Sequence, residues 1–117
     1  MTGALGTRAY PVVMDRADDV AGAGALLELS GDVDTASVPA FRASADEMLA
    51  NPDLQRFAVD LGAVDFSDSM CIGLLVHIRT VCADRGIALE LRRVPHRTRL
   101  LLELTGLVNA FRIVDAG

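Results

Sequence analysis

Five consecutive residues, Ser67-Asp68-Ser69-Met70-Cys71, set two hydroxyls, a carboxylate, a thioether and a thiol side by side. An apolar run precedes them and a second apolar run, with helical spacing, follows. The segment Phe66–Gly73 therefore reads as a strand-to-helix junction. In open α/β sheets, sites collect at the carboxyl ends of strands, where helix N-termini also point. The free amides of a helix start favour a carboxylate or a phosphate. Asp68 or Ser69 can satisfy one of those amides as the cap. Cys71 sits where a helix N-terminus lowers a thiol pKa and makes it redox-sensitive; the plainer reading is a small buried apolar residue. Met70 fits an exposed, adaptable contact as well as it fits a core position.

Catalysis finds little support around these residues. His77 lies two helical turns beyond Ser69, and side chains roughly 12 Å apart on one helix make no hydrogen-bonded nucleophile–base pair. His77 and His96 have no second ligand at a recognised metal-binding spacing. Glycine-rich phosphate loops of the P-loop or dinucleotide type are missing. The junction thus reads as a protein-contact surface, with no enzyme activity, cofactor or metal expected.

The elements that must position it alternate. Residues 1–8 are small and polar and read as frayed. Tyr10–Met14 suits a short strand, Asp15–Gly24 an acidic connection, and Ala25–Ser30 a second strand. Gly31-Asp32-Val33-Asp34-Thr35 is turn chemistry, with Asp34 or Thr35 placed to cap a helix that begins near Pro39. Val38, Phe41, Ala45, Met48 and Leu49 give that helix one buried stripe, and Asn51-Pro52-Asp53 ends it. Arg56–Leu61 is nearly all apolar, as in a strand covered on both faces. Ser69–Arg85 is the strongest helix; His77, Thr80 and Asp84 mark its polar stripe, and Gly86 supplies a left-handed cap. Ile87–Leu91 is a strand, Pro95 opens a helix that contains Leu100, Leu101 and Leu104, Gly106 closes it, and Phe111–Val114 is a last strand. The order β-β-α-β-α-β-α-β predicts an α/β fold with a mixed, mostly parallel sheet packed with helices.

Composition bounds the function. The 117 residues fit one domain, 1–117, able to fold without a metal or disulfide. Net charge is −5, which argues against nucleic acid. All eleven basic residues are arginine, and those between Arg85 and Arg99 form either a solvated face or a docking site for an acidic partner. Cys71 and Cys82 fall about 16 Å apart along one helix, too far for a disulfide. No apolar stretch reaches membrane-span length, and the first residues lack a secretory pattern, so a cytoplasmic protein is expected.

These residues together resemble the STAS domains, and most closely the stand-alone bacterial anti-sigma factor antagonists. The resemblance runs from Ala25 to Val114. It rests on Leu29-Ser30-Gly31-Asp32-Val33-Asp34, Phe57-Ala58-Val59-Asp60-Leu61, Phe66-Ser67-Asp68-Ser69, Leu104-Thr105-Gly106-Leu107 and Phe111-Arg112-Ile113, in that order. It implies a STAS-type fold and a partner-switching role. The antagonist binds an anti-sigma factor with a kinase-like ATP-binding fold and thereby frees a sigma factor. The kinase phosphorylates a hydroxyl in an Asp-Ser-Ser/Thr-Gly motif at this helix start, and the added charge breaks the complex. The implied contact residues are Asp34, Thr35, Ser67, Asp68, Ser69, Met70 and Cys71, with the exposed side of the following helix. Here Met70 stands at the usual acceptor position and Cys71 replaces the glycine. Three outcomes follow: Ser69 accepts the phosphate, Ser67 does, or the chain is not phosphorylated and stays binding-competent. A STAS interaction subunit of a larger assembly, such as a transport complex, is the alternative. Homodimerisation through the apolar helix faces stays open.

Overall fold

The structure is a computed structural model that describes residues 8–12 and 23–114. Strand β1 is Arg8–Val12, so Arg8, read as frayed, opens the sheet; residues 1–7 and Val13–Gly22, including Met14 and most of the acidic connection, lie outside the described residues. There follow β2 (Ala23–Val33), α1 (Val38–Leu49), β3 (Leu54–Ser67), α2 (Ser69–Arg85), β4 (Ala88–Arg92), α3 (His96–Leu104), a 3₁₀ turn at Val108–Ala110, and β5 (Ile113–Val114). The five strands lie side by side in chain order. β1 runs antiparallel to β2, and the steps β2–β3, β3–β4 and β4–β5 are parallel, as the alternation of elements requires.

Alternate strand positions face the helices. Ala25, Leu27 and Leu29 of β2, Phe57, Val59 and Leu61 of β3, and Leu91 of β4 join one core. Phe41, Ala45 and Leu49 of α1, Leu75, Ile78 and Cys82 of α2, and Leu102 of α3 belong to it too. Leu27, Phe41, Phe57, Leu75 and Ile78 are fully buried, each contributing about 1.5–3 kcal/mol relative to exposure. The helix-bearing core takes one face of β3, and Ala58 and Asp60 are buried on the other, so the strand is covered on both faces as expected. The other face carries Glu28, Arg56, Ala58, Asp60, Glu90 and Arg92, brought into register by the pairs Glu28–Asp60, Ala58–Glu90 and Asp60–Arg92. Asp60 is buried there and compensated: its carboxylate accepts from the Gly62 N–H at 2.8 Å and pairs with Arg93 Nη2 at 3.0 Å.

Two strands run further than their sequences predict. β2 passes through Gly31-Asp32-Val33, where a turn is expected. Gly31 has φ +70°, and the register shifts between Glu28 and Ser30 and again between Gly31 and Asp32. A left-handed glycine lets the strand bulge and continue. β3 likewise runs on to Ser67. Its pairing with β4 ends at Asp60–Arg92, whereas its pairing with β2 reaches Val33–Ser67. The ends of β2 and β3 therefore project together beyond β4.

The helices end as their sequences dictate. Gly86 caps α2 at φ 70°, and its N–H donates to the Ala83 carbonyl. The Arg85 guanidinium donates to the carbonyls of Leu49 and Asn51, which satisfies the C-terminal end of α1. In α3, Thr98 and Leu102 are buried, while Leu100 and Leu104 face outward. Among the described residues no helix is long and apolar enough to cross a membrane.

Candidate functional site

The junction sits on the projecting tip of β2 and β3. Because Asp32 pairs with Phe66 and Val33 with Ser67, the loops that follow the two strands emerge side by side. The Asp34 loop and the start of α2 thus share one end of the molecule, although 33 positions separate Asp34 from Ser67 in the chain.

Each loop is locked by its own polar residues. Asp34 Oδ1 accepts from the amides of Ala36 at 3.0 Å and Ser37 at 3.2 Å, and the Ser37 hydroxyl donates to the Asp32 carbonyl at 2.6 Å. The turn then enters α1 through Ser37, whose side chain caps nothing inside the helix. The N-cap of α1 is Ser37, so neither Asp34 nor Thr35 caps the helix as expected; Asp34 instead fixes the turn before it, and Thr35 is exposed. At α2 the cap is Asp68. Its backbone is extended, and Oδ1 accepts from the Met70 N–H at 2.8 Å. This satisfies one of the orphan amides that a helix start leaves free.

The five junction residues separate sharply by exposure. Ser67 is buried, and its hydroxyl pairs with that of Thr98, also buried, at 2.8 Å. As a contact residue or phosphoacceptor, Ser67 is therefore corrected: its hydroxyl faces α3 and is already engaged. Ser69 is exposed at the first position of α2. Met70 is 40% exposed and Phe66 41%, so Met70 is a surface residue. Cys71 is fully buried, and burial, aided by the neighbouring Asp68 carboxylate, pushes its thiol up to about 12. The helix-start effect loses to desolvation, so Cys71 is a core residue and presents no side chain to a partner. Cys82 is buried on the same helix and pushed up to about 11 by desolvation, against a lowering contribution from Arg85. Both thiols are free.

The resulting surface is two exposed apolar side chains, Phe66 and Met70, around a capped helix start, with Asp65 and Asp68 nearby in the chain and the Asp32–Asp34 segment brought alongside by the β2–β3 pairing. Thr98 escapes residue-level reading, because the hydroxyl pair joins positions 31 residues apart, whereas Phe66 opens the segment expected as the contact surface and is exposed there. Along α2, Gly73 is exposed and His77 Nε2 pairs with Asp46 Oδ1 at 2.7 Å, joining α2 to α1. Among the described residues no cluster of three or more His, Cys, Asp or Glu can hold a metal ion.

Comparison with known proteins agrees with this architecture. The fold matches a Mycobacterium paratuberculosis anti-sigma factor antagonist at a TM-score of 0.69, with 20% identity over 93% of this chain and 87% of that one. It matches the anti-sigma factor antagonist SpoIIAA of Bacillus, in its unphosphorylated form, at 0.67 with 16% identity over 79% and 80% of the two chains. A match to SLC26A9 scores 0.68 at 14% identity and covers 87% of this chain but 21% of that one. No curated protein matches the sequence. The family model described as "Mlab, STAS domain" matches residues 17–115. With nearly the whole length accounted for by that model, the chain belongs to the STAS domain family.

Proposed function

We propose that this chain is an anti-sigma factor antagonist-like regulator, not an enzyme, and that it binds a kinase-like anti-sigma factor through the junction at Phe66–Met70. The observation that carries the reading is the pair of exposed apolar side chains, Phe66 and Met70, on a helix start held rigid by Asp68. A rigid apolar anchor ringed by polar groups is the usual form of an energetic centre in a protein interface. The Asp34–Ser37 turn and Ser69 complete the rim. Support comes from the family and from the fold shared with proteins named as anti-sigma factor antagonists, one of them known in both unphosphorylated and phosphorylated forms.

Control at this junction differs from the family pattern. Met70 has no hydroxyl, and Ser67 is buried and engaged, so Ser69 is the exposed hydroxyl between Phe66 and Gly73. Any switching here runs through Ser69. A phosphate on it adds roughly two negative charges beside Asp68 and disfavours an apolar contact. The test is size-exclusion chromatography of the chain with a kinase-like anti-sigma factor from the same cell, with ADP and with ATP. A complex is expected with ADP; its absence with every such partner contradicts the reading.

A second reading, as an interaction subunit of a larger assembly such as a transport complex, is favoured by the SLC26A9 match, in which this fold accounts for a small part of a longer chain. Native pull-down separates the two: recovery of transporter subunits without an anti-sigma factor favours the second.

A further inference from the structure

Position 73 holds a glycine for which the described residues supply no reason. It lies in the first third of the 17-residue helix α2 and is exposed, while Cys71, Ile72, Leu74 and Leu75 on either side are buried. Glycine inside a helix is the poorest former after proline, because it loses the most backbone freedom on folding. Other glycines of the chain have a compensating cause. Gly31 and Gly86 hold left-handed backbone, and a side chain at Gly62 would strike the Arg93 guanidinium. Gly73 has helical backbone, and a Cβ there would meet no heavy atom within 4 Å among the described residues. Alanine would fit and would strengthen the helix, so the missing side chain points to something outside the chain.

The gap has walls. On a helix surface the neighbours of position 73 stand three and four residues away, at Ser69, Met70, Val76 and His77. Four residues around a gap form the kind of hole that takes one side chain from a facing helix. Two walls are apolar: Met70, which is exposed, and Val76, half-buried and packed against the core. The other two are polar, with Ser69 exposed and His77 held in place by its pair with Asp46. Met70 belongs both to this socket and to the junction, so the socket continues the surface assigned to the partner. We infer that the socket over Gly73 takes an apolar side chain from a helix of the anti-sigma factor partner, packed across α2 next to Met70. The inference rests on the junction reading and adds a specificity-determining residue to it: a side chain at position 73 fills the space that the partner's side chain needs. Ser69 stands on the rim of the same socket, so a phosphate there would place its charge against an apolar occupant.

The test pairs stability with binding in Gly73→Ala and Gly73→Leu, using the full chain and a kinase-like anti-sigma factor with ADP. Thermal denaturation is expected to show Tm raised by about 4 °C in Gly73→Ala, because alanine replaces glycine in an exposed helix interior. Calorimetric titration is expected to move the other way. Binding should be about tenfold weaker in Gly73→Ala, the order of one extra methyl forced into a packed contact, and lost in Gly73→Leu. A raised Tm with unchanged affinity in both variants overturns the inference, since it makes Gly73 a bare surface position. A lowered Tm in Gly73→Ala overturns it too, since it places the cause of the glycine inside the chain. So does self-association of the chain alone that Gly73→Leu abolishes, which marks a second copy as the occupant. The junction reading is judged separately. Weakening by Met70→Asp without weakening by Gly73→Leu leaves that reading standing and overturns the inference; a wild-type chain that binds no kinase-like partner overturns both.

Discussion

At the residue scale the account turns on position 70. Sequence alone leaves Met70 equally suited to surface and core, because methionine packs well in both. The structure places it outside, next to an exposed serine. Met70→Ser restores a hydroxyl where the family pattern has one. Intact-mass measurement after incubation with the kinase-like partner and ATP is expected to show one phosphate on this variant. Wild type either stays unmodified or carries a phosphate that Ser69→Ala removes. No phosphate on Met70→Ser would show that the junction is not presented to the kinase. Cys71 is the instructive opposite. Its sequence position near a helix start points to a reactive thiol, but burial reverses the sign of the effect. Burial of a side chain one residue from an exposed one is set by helix phase against the sheet, which local sequence does not carry.

At the element scale, the bounds of α2 were legible, because a capping residue at Asp68 or Ser69 and the stop at Gly86 flank a continuous apolar run; the structure assigns the cap to Asp68. Strand ends were not. Gly31-Asp32 reads as a turn and the β3 run reads as ending at Leu61, yet β2 and β3 continue past these points, held by pairing to each other. That pairing is non-local, so no window of sequence shows it. The same holds for the Ser67–Thr98 hydroxyl pair that fixes α3 against the junction. Thr98→Val keeps the shape and leaves the Ser67 hydroxyl buried without its partner. Chemical denaturation is expected to show a loss of about 1–3 kcal/mol. Ser67→Ala combined with Thr98→Val is expected to recover part of that loss, since removing both polar groups is cheaper than orphaning one. A double variant as unstable as the sum of the singles would mean the pair is not coupled.

At the scale of the whole molecule, the order of elements and the mixed sheet follow from the alternation of apolar runs, and the family follows from motifs spread along most of the chain. The sidedness of the sheet was hidden, because Arg56–Leu61 reads as nearly all apolar, and only the fold shows that Asp60 inside it faces away from the helices. Whole-molecule stability also carries the two buried thiols. Their ordinary value is 9.0, and the fold raises Cys71 to about 12 and Cys82 to about 11. Their contribution is complete below pH 9 and is lost as pH rises, because the unfolded thiols ionise first. Each removes about 1.4 kcal/mol per pH unit between its unfolded and folded values. Denaturation midpoints measured from pH 8 to 11 should fall above pH 9, and Cys71→Ala should reduce that slope. A slope unchanged in Cys71→Ala would place its titration elsewhere.

The central claim is that partner binding is concentrated at the exposed apolar pair on the β3–α2 tip. Calorimetric titration of a kinase-like anti-sigma factor with Met70→Asp, and with Gln55→Asp at the opposite end of β3, tests it most directly. Both sites are exposed, so neither change disturbs the core. The account predicts that Met70→Asp weakens binding by about 30-fold or more, as for a central interface residue, and that Gln55→Asp leaves it unchanged. Equal affinities for wild type and Met70→Asp would contradict it.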